Sequence, residues 1–380
     1  MYSLADYGAM IADSVRTGSY IRAIKAAVCP GSVVVDVGSG SSFFSLVACR
    51  AGARRVYAID QADIIQLGRQ LATANGFGDR IEFFQEDSRQ IQLPERADVI
   101  VSDLRGALPF HGNAIVTLED ARRRFLGEKG ILIPHRDTLY AAIVELQKFY
   151  DEINSVWQRR VEHLDLSPAL TSIFNDLYVT RVTSDQLITE PQAWCVLEYT
   201  KSPSPRASAT LCFRPARNAT AHGIALWFDS QLFEDIGFSC APSGPRTVYG
   251  QGFLPWPQPV SLSAGREIQV ELHADPVGGD YVWRWETRLF DEGKGEVQHF
   301  QQSTLQGARF SPNWLHRHAA DFVPVLSEAG EAERWLLQAM DGSRTLEAIA
   351  REAVERFPNV FSRPEDAFRR AARLAGKFSR

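Results

Sequence analysis

The sequence lacks several features that would assign a protein class at once. Cysteine is scarce: five residues are scattered over 380 positions with no CxxC pair, and their odd number argues against a disulfide framework. No apolar run approaches the roughly 18 residues of a membrane helix, and the first residues show no basic stretch followed by an apolar one. We therefore expect a cytoplasmic protein with no membrane partner, and we predict no metal site.

An excess of basic charge is also missing. Lys and Arg number 41 against 46 Asp and Glu, so the formal net charge is −5 and no general attraction to nucleic acid is expected. Apolar residues make up 45% and charged residues 23% of the chain, which are ordinary values for a globular protein. A chain of this length can form two or three domains.

Signatures of phosphate binding are absent or incomplete. The motif GxxxxGK[ST] does not occur, and residues 38–43 read Gly-Ser-Gly-Ser-Ser-Phe, without the third glycine of GxGxxG. The sequence therefore does not favour a nucleoside triphosphate or a dinucleotide as cofactor.

The most informative pattern that is present consists of two apolar strands joined by a helix. The first strand contains Asp36 and runs into a glycine-rich turn, and the second strand ends at Asp60, 24 residues later. Glycine lets the backbone approach a ligand, and a carboxylate at the second strand end can accept hydrogen bonds from ribose hydroxyls. The pattern predicts an adenosine-binding site.

S-adenosylmethionine (SAM) fits this pattern because it carries an adenosine and no phosphate. Its site needs a short glycine turn, an acid for the ribose, and a further acid or amide near the adenine. The residues assigned to these parts are Gly38, Ser39 and Gly40 in the turn, Asp60 at the ribose, and Asp87 and Ser88 at the adenine, and Gln61, next to Asp60, is assigned to the cofactor as well. The product of methyl transfer would be S-adenosylhomocysteine.

The pattern of residues changes twice along the chain. Up to about residue 135 strands alternate with helices, and strands are predicted near 32–37, 55–60, 80–85, 97–102 and 130–134. Beyond Pro134, segments of period two rich in aromatic and β-branched residues predict an antiparallel barrel or sandwich. Residues 316–380 return to helical spacing, and Thr345 is a predicted N-cap.

Four segments in a fixed order resemble the protein arginine methyltransferases from residue 1 to about 315. They read MIADSVRTGSY, AGARRVYAID, QLPERADVIVSD and FLGEKGILIPHRDTLYAAIVE. The resemblance implies a class I SAM methyltransferase (Rossmann, α/β) domain with an N-terminal lid helix over 1–135. It further implies an antiparallel β-barrel over 136–315, with an inserted dimerisation arm near 160–182, and hence a homodimer.

The same resemblance assigns further roles at the cofactor. Arg16 would pair with the methionine carboxylate of SAM, and Met10 would pack near the sulfonium. Asp36 is expected to hold the glycine turn by accepting its backbone amides.

The loop after the fourth strand departs from the family pattern. The family grips a guanidinium with two glutamates on this loop, whereas here the first position is Asp103 and the second falls at or beside Gly112. Arg105 adds a positive charge, which opposes binding of a cation. The family's Thr-His-Trp loop is replaced by Thr-Val-Tyr at 247–249. Ordinary methylation of protein arginines is therefore not expected.

Three residues of this loop are candidates for catalysis, each with a simpler alternative. Asp103 could orient an amine or accept its proton, or it could only cap the loop. His111 could act as a base or donate to a substrate oxygen, or it could only face solvent. Arg105 could pair with a substrate carboxylate or with a neighbouring acid such as Asp103.

The C-terminal segment has its own resemblance. The run L-x-x-x-D-G-x-R-T-x-x-x-I, from Leu337 to Ile349, resembles small winged-helix domains that recognise peptides. A helical cap on the barrel edge, or an element that builds an oligomer, is the alternative.

Three functions follow from these observations. The first is a SAM-dependent methyltransferase acting on a nitrogen of a peptide or an amino-acid-like substrate in a specialised pathway. The second transfers the methyl group to a carboxylate or hydroxyl oxygen. The third is a catalytically quiet SAM-binding partner subunit.

Overall fold

The computed structural model describes residues 2–291, 293 and 295–379, and the chain divides into two units. The first unit covers residues 1–308 and the second covers residues 309–380. The three-domain division with boundaries at 135 and 315 stays a prediction. None of the helices in the described ranges has the length and hydropathy needed to cross a lipid bilayer.

The first part of unit 1 alternates helices with parallel strands, as the sequence predicts. In chain order its elements are α1 (Leu4–Ala12), α2 (Arg16–Ala27), β1 (Val33–Val37), α3 (Phe43–Ala51), β2 (Arg55–Ile59), α4 (Ile65–Ala74), β3 (Ile81–Phe84), β4 (Ala97–Ser102), α5 (Ala114–Phe125) and β5 (Leu126–Ile133). The last strand begins four residues earlier than predicted and is bulged where it pairs with β4.

These strands form one parallel sheet in the order β3-β2-β1-β4-β5. Every residue of β1 is buried, as expected for a central strand covered by helices on both faces. The strand order reverses between β1 and β4, so the crevice beyond the carboxyl ends of these two strands is where such sheets bind ligands. The fold thus brings the turn after β1, Asp60 after β2, and Asp103 after β4 to one edge.

The second part of unit 1 is rich in antiparallel strands. Its elements are β6 (Arg136–Val144), α6 (Gln147–Asn154), β7 (Arg160–Val161), β8 (Leu164–Asp165), α7 (Leu170–Phe174), β9 (Tyr178–Thr180), β10 (Gln192–Glu198), β11 (Ala207–Phe213), β12 (Ala219–Phe233), β13 (Ile236–Ser239), β14 (Gln251–Leu262), β15 (Glu267–Val277), β16 (Asp280–Asp291), β17 (Gly295–Ser303) and α8 (Thr304–Gly307).

The long strands of this part form two antiparallel sheets. One has the order β10-β6-β12-β14-β9 with β13 paired to β12, and the other has the order β11-β15-β16-β17. Trp227, Trp256 and Trp285 are among the largest fully buried side chains. Their cluster is continuous with that of the parallel sheet, so residues 2–308 share one hydrophobic core. A closed barrel stays a prediction.

Unit 2 contains four helices in its described residues: α9 (Pro312–Arg317), α10 (Glu328–Ala339), α11 (Leu346–Arg356) and α12 (Pro364–Phe378). Leu336, Ile349 and Phe361 belong to its separate hydrophobic core. The hydroxyl of Thr345 accepts a hydrogen bond from the amide of Ala348, which confirms the predicted N-cap of α11. No strand occurs in residues 309–379 as described, so the hairpin that gives winged-helix domains their name is not found there. The winged-helix resemblance stays a prediction.

Candidate active site

The glycine turn after β1 forms the floor of the site. Gly38 and Gly40 have φ of +72° and +54°, which non-glycine residues rarely adopt. A Cβ atom on Gly38 would lie 2.3 Å from Cδ2 of Leu104, and one on Gly40 would lie 2.7 Å from the ring of Tyr7. A side chain at either position would therefore require Leu104 or Tyr7 to move, in addition to the backbone strain.

Asp60 joins the turn to the end of β2. Its Oδ2 accepts a hydrogen bond from the amide of Gly40 at 2.8 Å, and its Oδ1 accepts one from the amide of Ala62, also at 2.8 Å. An ionised carboxylate has about four lone-pair sites, so each oxygen can accept one more donor. Two adjacent hydroxyl groups, such as those of a ribose, match this remaining capacity.

Two cavities meet above the turn. Their volumes are about 330 and 270 Å³, and both are lined by Gly38, Asp60, Leu104 and His111. Each is of the size that small ligands occupy in proteins. Leu104, which the sequence analysis did not single out, lies at their junction.

All predicted site residues except Asp36 line these cavities. The first cavity adds Gln61, Asp87 and Ser88, and the second adds Met10, Arg16, Ser39, Gly40, Asp103 and Arg105. Tyr2 and Tyr7, in the N-terminal segment where the lid helix is expected, line the second cavity as well. The sequence analysis missed Glu86 in the first cavity and Phe44 in the second, because neither stands out from its neighbours by residue type.

The expectation that Asp36 accepts the amides of the turn is wrong. The amides of Gly38 and Ser39 donate to the carbonyl oxygen of Ile59, at 2.9 and 3.0 Å, and the amide of Gly40 donates to Asp60. Asp36 instead accepts a hydrogen bond from Oγ of Ser45 at 2.6 Å, on the face of the sheet covered by α3. Burial raises the pKa of Asp36 to about 7.

Asp87 is held by a neighbour that the sequence analysis did not pair with it. Nη2 of Arg89 lies 2.7 Å from its Oδ2, and the backbone amide of Arg89 donates to its Oδ1 at 3.0 Å. These hydrogen bonds lower the pKa of Asp87. An adenine amino group at this end would share the carboxylate with Arg89.

Asp103 lies at the centre of a buried ion cluster. Arg16 approaches it with Nε at 2.6 Å and Nη2 at 2.5 Å, both at Oδ2, and Nε of Arg105 lies 3.1 Å from Oδ1. The hydroxyl of Tyr249 donates to the same carboxylate, 2.6 Å from Oδ2. Burial by itself raises the pKa of Asp103, but Arg16 and Arg105 lower it more, so the net pKa is below the ordinary value.

Arg105 is fixed by a second set of partners behind Asp103. Its Nη1 donates to Oδ1 of Asp137 in β6 and to Oγ of Ser230 in β12, both at 2.7 Å, and its Nη2 donates to the hydroxyl of Tyr20 in α2. The predicted alternative, in which Arg105 pairs with Asp103, is thus present in the structure, and Asp137 is a partner that the sequence did not indicate.

Aromatic rings complete the surroundings of the Arg105 guanidinium. Its central carbon lies 5.1 Å from the ring centre of Phe228, 5.5 Å from that of Phe238 and 5.9 Å from that of Tyr249. Burial by itself lowers the pKa of Arg105, but attraction to Asp137, and then to Tyr20 and Asp103, raises it by more. The net pKa is well above the ordinary value, so the guanidinium stays charged. We call the set of Arg105, Asp103, Asp137, Ser230 and Tyr20 the Arg105 cluster.

His111 is exposed at the mouth of both cavities. A Cβ atom on Gly106 would lie 3.0 Å from its ring, which shows how closely the loop folds under the imidazole.

The replaced Thr-His-Trp loop also reaches the site: the amide of Val248 donates to Asp13 at 2.8 Å, while Tyr249 contacts Asp103.

Two family models match consecutive parts of the chain. Residues 16–133 match the ribosomal protein L11 methyltransferase (PrmA) model, and residues 135–286 match the model of the arginine methyltransferase oligomerization subdomain. Together they cover the parallel sheet and most of the antiparallel part.

Curated relatives carry related names. The chain is 30% identical over 281 residues to the probable histone-arginine methyltransferase 1.4 of Arabidopsis thaliana, covering 70% of this chain and 53% of that protein. It is 29% identical over 282 residues to protein arginine N-methyltransferase 1 of Schizosaccharomyces pombe, covering 72% and 82%. The chain thus spans about half the length of the first of these relatives.

Solved structures show the same fold. The Trypanosoma brucei PRMT1 enzyme-prozyme heterotetrameric complex with AdoHcy aligns with a TM-score of 0.70 at 22% identity, over 78% of this chain and 96% of that one. Arabidopsis thaliana protein arginine methyltransferase 10 aligns with a TM-score of 0.70 at 19% identity, over 79% and 97%. The expected class I methyltransferase fold is confirmed.

Proposed function

We propose that the chain is a SAM-dependent methyltransferase of the arginine methyltransferase family, which its similarity to arginine methyltransferases supports. The observation that carries the proposal is the pair of joined cavities at the switch point of the sheet, with the glycine turn below and Asp60 beside it. A Cβ at Gly38 would fill this cradle, which supports a backbone held open for a ligand. When bound, SAM supplies a methyl group that is carried on a sulfonium sulfur. After transfer of the methyl group, this sulfur is a neutral thioether.

The residues of the chain have distinct parts in this proposal. Asp60 holds the ribose hydroxyls with its two remaining acceptor sites, with Gln61 beside it, while Asp87 and Ser88 lie at the adenine. Arg16 and Met10 lie at the methionine end, where Tyr7 closes over Gly40. His111 is exposed between the cavities. Where the atom that accepts the methyl group carries a proton, His111 removes that proton. Asp103 positions Arg16 and Tyr249, since its low pKa and its existing partners leave it unsuited to accept a proton.

The acceptor proposed from the sequence is a nitrogen of a peptide or an amino-acid-derived substrate in a specialised pathway. The names of the relatives, histone-arginine and protein arginine methyltransferases, favour a protein or peptide over a free metabolite. Incubation with labelled SAM and separate pools of histone-like protein, short peptides and free amino acids tests this directly. Label in the protein or peptide pool is expected, and label only in free amino acids would contradict a peptide acceptor.

A catalytically quiet partner subunit is the second candidate. Two observations favour it: the acceptor loop has no acid at Gly112, and one solved neighbour comes from an enzyme-prozyme complex. Such a subunit would bind SAM but transfer no methyl group by itself. Binding of SAM measured by calorimetry together with turnover on any of the pools would eliminate this candidate.

We also propose that the chain forms a homodimer in the cytoplasm. The model matched by residues 135–286 is described as an oligomerization subdomain, and Val161, Leu164 and Val179 of the arm are exposed apolar residues. Replacing Leu164 by Asp should shift the protein from dimer to monomer in sedimentation velocity. A wild-type protein that sediments as a monomer at all concentrations would refute the homodimer.

A further inference from the structure

The acids that line the second cavity limit the charge of the group that can accept the methyl group there. They are Asp60, at the proposed ribose end, and Asp103, at the end of β4. A cationic acceptor needs a carboxylate with free lone pairs, because a buried charge without a partner is strongly unfavourable. Asp103 is the only one of the two placed to meet an acceptor.

Asp103 has no free lone pair left to accept a hydrogen bond from a substrate. Its roughly four lone-pair sites face four donors from the chain itself: Nε and Nη2 of Arg16, Nε of Arg105 and the hydroxyl of Tyr249. An incoming guanidinium would have to displace one of these donors.

Arg105 cannot easily be displaced, because the rest of its guanidinium is anchored. Asp137 and Ser230 bind Nη1 from two neighbouring strands, and the Arg105 and Asp137 side chains are 4% and 0% exposed. Four aromatic rings, those of Tyr20, Phe228, Phe238 and Tyr249, have centres within 6 Å of its central carbon. Two carboxylates and aromatic faces are the groups that would bind a substrate guanidinium, and here they already hold one that belongs to the chain.

The charges of this region also balance without a substrate. Arg16 and Arg105 contribute two positive charges, and Asp103 and Asp137 contribute two negative ones. A further cation at the acceptor end would find no counter-charge, whereas an uncharged or anionic group would need none. Rejecting one class of ligand by an unfavourable charge is an established route to specificity.

We propose that Arg105 sets the acceptor class by occupying Asp103, so that the acceptor end of the second cavity takes a group without positive charge, such as an imidazole nitrogen, a hydroxyl or a carboxylate. This inference rests on the proposed function, and it makes Arg105 a specificity-determining residue that acts through Asp103. It excludes arginine and protonated lysine as preferred acceptors.

Binding of two matched peptides tests the inference without turnover. The peptides differ only at the central residue, which is arginine in one and citrulline, its uncharged analogue, in the other. Fluorescence anisotropy with the wild-type protein saturated with S-adenosylhomocysteine should give a dissociation constant about tenfold lower for the citrulline peptide. Tighter binding of the arginine peptide would overturn the inference.

A paired substitution tests the role of Arg105 itself. Arg105→Met combined with Asp137→Asn removes one charge of each sign and leaves no orphaned buried carboxylate. The citrulline preference should fall by about tenfold in this variant. The control, Arg122→Met with Glu119→Gln, makes the same charge change at a surface ion pair on α5 and should leave the preference unchanged. An unchanged preference in the folded paired variant would overturn the role of Arg105.

Methyl transfer distinguishes this inference from the proposed function. Four peptides with arginine, histidine, serine or glutamate at the centre are incubated with labelled SAM and analysed by mass spectrometry. Label on the histidine, serine or glutamate peptide supports the inference, and label mainly on arginine overturns it while the methyltransferase proposal stands. Failure of the wild-type protein to bind S-adenosylhomocysteine in calorimetry would instead overturn the proposed function.

Discussion

The carboxylate of Asp60 holds two backbone amides before any ligand arrives. Because the two remaining acceptor sites match a pair of ribose hydroxyls, Asp60→Ala should weaken SAM binding by about 1 to 3 kcal/mol. Isothermal titration calorimetry measures this effect. Asp63→Ala is a suitable control, since Asp63 is exposed, lies three residues away and lines neither cavity. Equal affinity of the Asp60 variant and wild type would remove Asp60 from the site.

Asp36 makes stability depend on pH. Its pKa is about 7 in the fold against an ordinary value of 3.8, because burial disfavours the charged form. Since the folded pKa is the higher one, the stabilising contribution of the protonated acid is complete below about pH 4 and is lost as the pH rises to about 7. Asp36→Asn does not titrate, so its stability relative to wild type should rise across this window by up to roughly 4 kcal/mol.

Urea unfolding of both proteins between pH 4 and pH 8 measures this difference. Asp79→Asn, which removes one carboxylate at an exposed position, is the control variant. A constant gap between the Asp36 variant and wild type would mean that Asp36 is charged in the fold.

At the residue level, the sequence indicated most of the side chains that line the two cavities, but not how those side chains pair. Asp60 and Arg16 were found because they occur in motifs with a fixed spacing. The pairing of Asp36 with Ser45 depends on which face of β1 is covered by α3, and strand periodicity does not reveal that. The contact between Arg105 and Asp137 joins residues 32 positions apart across two sheets, so no local pattern reports it.

The turn between β1 and α3 works only if Gly38 has no side chain. Gly38→Ala combines a strained φ with a contact of 2.3 Å to Leu104. We expect a lower free energy of unfolding, by more than the roughly 1 to 2 kcal/mol of the strain alone, and at least about tenfold weaker SAM binding, or 1.4 kcal/mol. Thermal unfolding and calorimetry provide the two readouts.

Gly76→Ala is a closely matched control for this element. Gly76 has φ of +74°, nearly that of Gly38, but a Cβ there would meet nothing within 4 Å. Its variant should show the strain penalty and normal SAM affinity. Adding Leu104→Ala to Gly38→Ala should recover part of the lost stability, and no recovery would contradict the close contact as the cause.

At the level of elements, the strands of the parallel sheet were predictable because apolar runs and turn residues mark them clearly. The arm was less so: residues 160–182 contain the short strands β7, β8 and β9 as well as α7. Strands of two or three residues are too short to show an alternating pattern. The pairing of β9 with β14 is a tertiary contact that local sequence does not encode.

At the level of the whole molecule, the two hydrophobic cores predict independent folding of unit 1. Leu336 and Ile349 belong to a cluster that shares no residue with the core of residues 2–308. A chain that ends at Ala308 should therefore stay folded and bind SAM within about twofold of the full chain, or 0.4 kcal/mol. The apparent Michaelis constant for a peptide should rise if residues 309–380 recognise it.

Circular dichroism and calorimetry on the shortened chain check the first part of this prediction. An unfolded or aggregated product would show that residues 309–380 are needed for the stability of unit 1. A peptide Michaelis constant equal to that of the full chain would leave the C-terminal helices without a role in recognition.

The Arg105 cluster also restricts the mutational history open to this chain. Losing Arg105 alone would leave Asp137 buried without a counter-charge, at about 3–5 kcal/mol, whereas losing Asp137 alone would leave Arg105 paired with Asp103. The first change gives up a large share of the 5–15 kcal/mol that typically separates folded from unfolded proteins. The loop after β4 and strand β6 are therefore coupled, since a change at Arg105 is tolerated only together with a matching change at Asp137.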